Sequence, residues 1–144
     1  MKVRDIMLRE LAAIEPDTLI EEFIYIVRKS GLPSLPVVDE SDRILGIISE
    51  RDVIGAVLPD YHETLRGTPF NPNPDELSRK LADLQQEPVE KYMTASVISV
   101  QETADDLYAA DLMFKENLKL LPVVNEEGRL AGLVRRIDLL KLLR

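Results

Sequence analysis

Residues 3–58 and 89–144 align without a gap at a spacing of 86 positions, and this internal repeat limits the folds open to the chain. Val3/Val89, Met7/Met93, Arg43/Arg129, Gly46/Gly132 and Asp52/Asp138 are identical in that register, as is the run Leu35-Pro36-Val37-Val38 with Leu121-Pro122-Val123-Val124. Elsewhere apolar stands against apolar, as in Ile14 with Val100, Ile26 with Leu112 and Ile44 with Leu130. So many matches in one register mean two copies of one structural unit.

Each copy reads as β-α-β-β-α. An entry segment (Val3–Met7, Val89–Met93) leads to a short apolar stretch, LAAI at 11–14 or VISV at 97–100. In "PDTLIEEFIYIVRKSG", Ile20, Phe23, Ile24 and Val27 recur at helical spacing and give one buried stripe. Pro16 suits a first helical turn, Glu21 and Glu22 favour the positive helix end, Arg28 and Lys29 the negative end, and Gly31 a left-handed cap. "SLPVVDE" and "RILGIIS" then form two β-branched runs around a polar turn, a hairpin pattern. The closing helix starts at "ERDVIGAVL" or "RIDLLKLLR". The expected fold is α/β (α+β): in each repeat a three-stranded sheet carries two helices on one face. A unit of about 55 residues is marginal alone. Packing the repeats sheet to sheet with pseudo-twofold symmetry buries both bare faces.

The expected boundaries are 1–58 for repeat 1, 59–88 for a connector and 89–144 for repeat 2. The connector opens with "PDYHETLRGTPFNPNP", a proline-marked loop, and continues as a helix, "DELSRKLADLQQ", with Leu77, Leu81 and Leu84 on one face. It reads either as an edge-packed connector or as a lid or partner-contacting element.

Composition narrows the function. A net charge of −8 argues against a partner such as nucleic acid, whose phosphates require a basic face. With no cysteine and a single histidine, His62, a thiolate or transition-metal site is not expected. No apolar run approaches the roughly 20 residues of a membrane span, and MKVRDIMLRE lacks the apolar core of a signal peptide. The expectation is a cytoplasmic protein without membrane contact.

The repeated stretches "VRDIM…PDT…GLPSLPVVDESDRILGIISERDV" and "VEKYMT…NLKLLPVVNEEGRLAGLVRRIDL" resemble the two halves of a tandem cystathionine β-synthase (CBS) domain pair, a Bateman module. The resemblance covers nearly all the chain outside the connector. It implies a regulatory module, often dimerised into a flat disc, that binds AMP, ADP, ATP or S-adenosylmethionine in clefts between its repeats. Each glycine-to-aspartate motif would be completed by the entry segment of the other copy, whose backbone recognises adenine.

The residues suit that chemistry. An aspartate opening the closing helix can accept from both ribose hydroxyls, and a serine at the helix N-cap lies where free N–H groups favour phosphate. The first pocket would combine Ser49, Arg51 and Asp52 with Thr94, Val97 and Ser99. The second would combine Arg135, Arg136 and Asp138 with Leu8, Leu11 and Ala13, and it lacks both hydroxyls. Two roles stay open for Arg135: an anchor for phosphate, or a plug filling an empty cleft. Asp52 and Asp138 can also serve simply as helix caps, and Arg51, Arg135 and Arg136 as surface charges.

The leading expectation is a non-catalytic adenosine-ligand sensor, with homodimerisation through apolar closing helices and output to an effector protein. The alternative is a dimerisation or interaction module with degenerate pockets. An enzyme is the weakest reading: the sequence offers no nucleophile–base pair, glycine-rich phosphate loop or metal cluster.

Overall fold

The computed structural model describes residues 1–9, 12–58 and 75–141. His62 and the proline-marked loop of the connector lie outside them.

Helix α1 spans Ile20–Ser30. Ile20 and Phe23 face inward, almost fully buried, and Gly31 ends the helix at φ 74, its N–H donating to the Val27 carbonyl at 2.9 Å. The helix starts four residues later than the Pro16 start expected from the sequence. The backbone before it is already engaged: Thr18 N–H donates to the Glu15 carbonyl, while the Thr18 carbonyl accepts from Val89 N–H at 2.8 Å. Residues 15–19 therefore form a turn clamped to the entry of the second repeat.

Strands β1 (Ser34–Val38) and β2 (Ile44–Ser49) pair antiparallel, Leu35 opposite Ile48 and Val37 opposite Gly46, with a bulge between Val37 and Val38. Helix α2 follows at Glu50–Val57. Helix α3 (Glu76–Leu84) belongs to the connector. Leu84 is buried and Leu81 partly so, but Leu77 is exposed, so only two of the three expected leucines reach the core. In the second repeat, β3 (Val100–Gln101) runs parallel to β4 (Leu120–Val124), which pairs antiparallel with β5 (Leu130–Arg135). Helix α4 spans Asp106–Lys115 and helix α5 Arg136–Leu140.

The two sheets are not equal. The second has the three strands expected, whereas the first has two, its third reduced to a single parallel bridge between Ile14 and Val37. Glu102 N–H extends the β3 ladder by donating to the Val124 carbonyl at 2.9 Å. The residue in that register in repeat 1 is Pro16, which has no N–H to give. The ladder stops there.

Strands β1 and β4 are buried at every position, as strands covered on both faces must be. Helices cover one face and the other repeat the second: one apolar cluster joins Phe23, Leu35 and Ile48 to Leu130 and Leu133. The entry segments cross over. Val3 and Met7 pack with Leu121, Val123 and Val134 of repeat 2, while Val89 packs in the cluster around Phe23 of repeat 1. Among the described residues, no helix is long and apolar enough to cross a membrane.

Candidate ligand site: two clefts between the repeats

The crossover of entry segments sets each repeat's helix-opening aspartate beside the other repeat, at the two clefts expected from the sequence. In the first, the end of β2 pairs with the entry segment of repeat 2: Ile47 N–H donates to the Thr94 carbonyl at 2.9 Å, and Thr94 N–H returns a bond to Ile47 at 2.8 Å. A Cβ on Gly46 would lie 2.8 Å from that same carbonyl, closer than atoms approach, so only glycine lets the segments pass. Ser49 then caps α2. Its backbone N–H donates to Asp52 Oδ2 at 2.8 Å, its hydroxyl donates to the same oxygen at 3.0 Å, and Asp52 N–H donates back to Ser49 Oγ at 3.2 Å. This box fixes the half-buried carboxylate and leaves Oδ1 turned towards Thr94, whose hydroxyl donates at a long 3.4 Å.

Of the residues expected in the first pocket, the structure thus joins Ser49, Asp52 and Thr94. Arg51 sits exposed in the first turn of α2; Val97 is half-buried and Ser99 exposed on the stretch leading to β3. No side-chain bond ties these three to Asp52 among the described residues.

The second cleft repeats the backbone. Leu8 N–H donates to the Leu133 carbonyl at 2.8 Å, Leu133 N–H to the Leu8 carbonyl at 3.0 Å, and Arg135 N–H to Asp138 Oδ2 at 2.8 Å. The side chains differ. Arg135 donates from Nε to Asp138 Oδ2 at 3.1 Å and from Nη2 to Oδ1 at 2.8 Å, a two-pronged ion pair. Lys141 Nζ stands 3.5 Å from Oδ1 as well. Asp138 is 3% exposed. Burial pushes its carboxyl up, but the hydrogen bonds and charge of Arg135, with Lys141, outweigh burial and hold it below its ordinary value. The same bond raises Arg135, against its own burial.

Arg136 is not part of this cluster. Its guanidinium donates to the Leu118 carbonyl at 2.9 Å and to Asn117 Oδ1 at 3.1 Å, securing the turn after α4 where Asn117 adopts φ 54. Leu8 and Ala13 are half-buried, and Leu11 lies outside the described residues. Lys141 escaped sequence reading. Its signal was present, because it occupies the register position of Gly55 and stands one helical turn after Asp138.

A concavity of about 490 Å³ is lined by Glu15, Asp17, Asp39, Glu40 and Glu90, among others. Five carboxylates there repel phosphate. No group of three His, Asp or Glu side chains among the described residues is placed to hold a metal ion.

Comparison with known proteins agrees with the two-repeat fold. The CBS domain family model matches residues 3–59 and 89–144. An uncharacterized protein of Methanocaldococcus jannaschii, MJ1426, is 31% identical over 99% of this chain and 91% of its own length. Inosine-5'-monophosphate dehydrogenase of the same organism is 26% identical over 97% of this chain, which spans only 23% of that enzyme. Among solved structures, the CBS-pair protein CBSX2 of Arabidopsis thaliana has a TM-score of 0.79 at 22% identity, covering 98% of this chain and 92% of its own. CBSX2 in complex with AMP gives a TM-score of 0.74 at 22% identity, with 98% and 94% covered.

Proposed function

The chain belongs to the CBS domain family as a tandem pair, and from that premise we propose that it is a non-catalytic regulatory module whose Ser49–Asp52–Thr94 cleft binds an adenosine-containing ligand. AMP, ADP, ATP and S-adenosylmethionine are the candidates. The observation that carries this reading is the Asp52 carboxylate, held rigidly by Ser49 with Oδ1 turned to the opposite repeat. A fixed, half-exposed carboxylate beside a hydroxyl suits the two adjacent hydroxyls of a ribose, each of which donates. Ser49 and Arg51, at the positive end of α2, would receive phosphate. Val97 and Ser99 would wall the base. That CBSX2 has been solved with AMP supports the choice of ligand class.

Occupancy would be read by a partner protein, because ligand bridging Asp52 and residues 94–99 ties one repeat to the other. We propose a homodimer as the assembly. Leu107 (78% exposed) and Phe114 (87% exposed) stand on the outer face of α4, and Ile137 and Leu140 on α5, as apolar surface that a twofold contact would cover. Light scattering at micromolar concentration should return twice the 16.3 kDa chain mass; a monomer mass would overturn the dimer.

The experiment for the ligand is a thermal-shift panel of adenine nucleotides, S-adenosylmethionine and guanine nucleotides, followed by calorimetry. A ligand specific to the folded state adds about 2.7 kcal/mol at 100 times its Kd. A flat panel would sink the sensor reading. It would favour the second reading, a dimerisation module with degenerate pockets, for which the self-paired Asp138 is the motivating observation.

A further inference from the structure

The two clefts share a backbone frame, and three side-chain differences in equivalent positions converge on one atom group. Ser49 becomes Arg135, Gly55 becomes Lys141 and Thr94 is matched by Leu8. In the first cleft, among the described residues, Oδ1 of Asp52 has only a 3.4 Å hydroxyl contact. In the second, Arg135 Nη2 holds the equivalent Oδ1 of Asp138 at 2.8 Å, Lys141 flanks it at 3.5 Å, and Nε and the backbone N–H of Arg135 hold Oδ2 at 3.1 and 2.8 Å. Both carboxylate oxygens of Asp138 thus already accept from Arg135, Lys141 stands beside Oδ1, and the residue is only 3% exposed, so a ribose hydroxyl would have to displace a charged donor to bind there.

We propose that Arg135 is a built-in latch that closes the second cleft to ribose by occupying its acceptor, so that the chain takes one adenosine ligand, in the first cleft only. Arg135 is therefore neither a phosphate anchor nor a mere space-filler: it competes for the atoms the ligand needs. The cleft wall supports exclusion, since Leu8 puts an alkyl group where Thr94 offers a hydroxyl. Lys141 makes the latch harder to release by keeping a second cation on Oδ1. Gly55 has open space around its Cβ position, so packing does not require glycine in the first repeat, and the lysine is an addition specific to the second.

This inference rests on the ligand class proposed above, and the test separates the two. Calorimetry with AMP is run on the parent, Arg135→Ser, Asp52→Ala, and the double variant Asp52→Ala/Arg135→Ser. The latch gives stoichiometries per chain of one, two, none and one, in that order. A parent that binds two AMP, or a double variant that binds none while the parent binds one, overturns the latch. If neither the parent nor Arg135→Ser binds AMP, the ligand reading falls, and the latch is then judged by carbon NMR of the Asp138 carboxyl. Its titration should move upward in Arg135→Ser; an unmoved titration overturns the latch independently of any ligand.

Discussion

The hairpins at residues 34–49 and 120–135 have the same register down to the bulge, Val37/Val38 in one and Val123/Val124 in the other, and their turns are closed alike. Asp39 Oδ1 accepts from Ser41 and Arg43 N–H; Asn125 Oδ1 accepts from Glu127 and Arg129 N–H. What surrounds those hairpins has diverged. Phe23, the largest fully buried side chain of repeat 1, stands in the register position of Ala109, also fully buried. Glu21, Glu22 and Arg28 on the outside of α1 are replaced by Leu107, Tyr108 and Phe114 on α4. The Asp52 carboxylate is half-buried and that of Asp138 is sealed. Duplication preserved the positions that fix strand pairing and left core volume, outer surface and cleft chemistry free to differ.

The sharpest way to break that comparison is in the core. Phe23→Ala copies the second repeat's residue into the first, yet the cavity it leaves has no compensating Met113, because repeat 1 has Val27 in that position. The expected loss is about 3–5 kcal/mol, read from urea denaturation. A loss below about 1 kcal/mol would mean that the two cores are interchangeable. Next come the crossing glycines. A Cβ at Gly46 would meet the Thr94 carbonyl at 2.8 Å, and one at Gly132 would meet the Leu8 carbonyl at 3.0 Å and the Met7 sulfur at 2.5 Å. Both alanine variants should lose about 1–3 kcal/mol through backbone displacement. Only Gly46→Ala should also abolish AMP binding, since it alone moves Thr94 from Asp52; equal binding losses would erase the distinction between clefts.

Much of this was legible in the sequence because repeated identities mark positions with no freedom. The strand pairs and the two glycine-to-aspartate motifs follow from them; the left-handed Gly31 follows from a glycine placed just after a helical stripe, and the meeting of Ser49 and Asp52 with Thr94 is what the family resemblance implies. The missing third strand of repeat 1 was harder to see. Pro16 suits a helix start, which is a local preference, whereas its decisive property is the absent N–H opposite Val38, a long-range one. The state of Arg135 was also hidden: a sequence shows a cation near a cleft, but which acceptor it meets depends on three-residue geometry along a helix start. Arg136, its neighbour, shows how sharp that is, for it donates instead to the Leu118 carbonyl and Asn117 Oδ1.

A third prediction compares the two aspartates. Asp138→Asn removes a buried acceptor from Arg135 and Lys141 and should cost about 1–3 kcal/mol at neutral pH; Asp52→Asn, with fewer charged partners, should cost less. The pH dependence follows from sign. Asp138 is held below its ordinary 3.8, so the folded state binds its proton less readily than the unfolded chain does. Its contribution is complete above 3.8 and is lost as pH falls from there through the lower folded value. Parent and Asp138→Asn melting curves should therefore converge on acidification through that window. A gap that widened below it would contradict the assignment.

The smallest effect belongs to Lys141, and it tests whether the second cation matters. Its ammonium lies 3.5 Å from Asp138 but the side chain is 63% exposed, so water screens most of the attraction. Lys141→Gly restores the residue of repeat 1, and its helix cost is confounded with glycine's own, about 1 kcal/mol against alanine. Lys141→Gln avoids this, keeping the stem and helix propensity while removing the charge. It should cost no more than a few tenths of a kcal/mol by thermal denaturation, and the loss should shrink further with added salt. The Arg135 pair has no such sensitivity to expect, because its carboxylate is buried. A salt-independent loss above 1 kcal/mol in Lys141→Gln would make Lys141, not Arg135, the principal partner of Asp138.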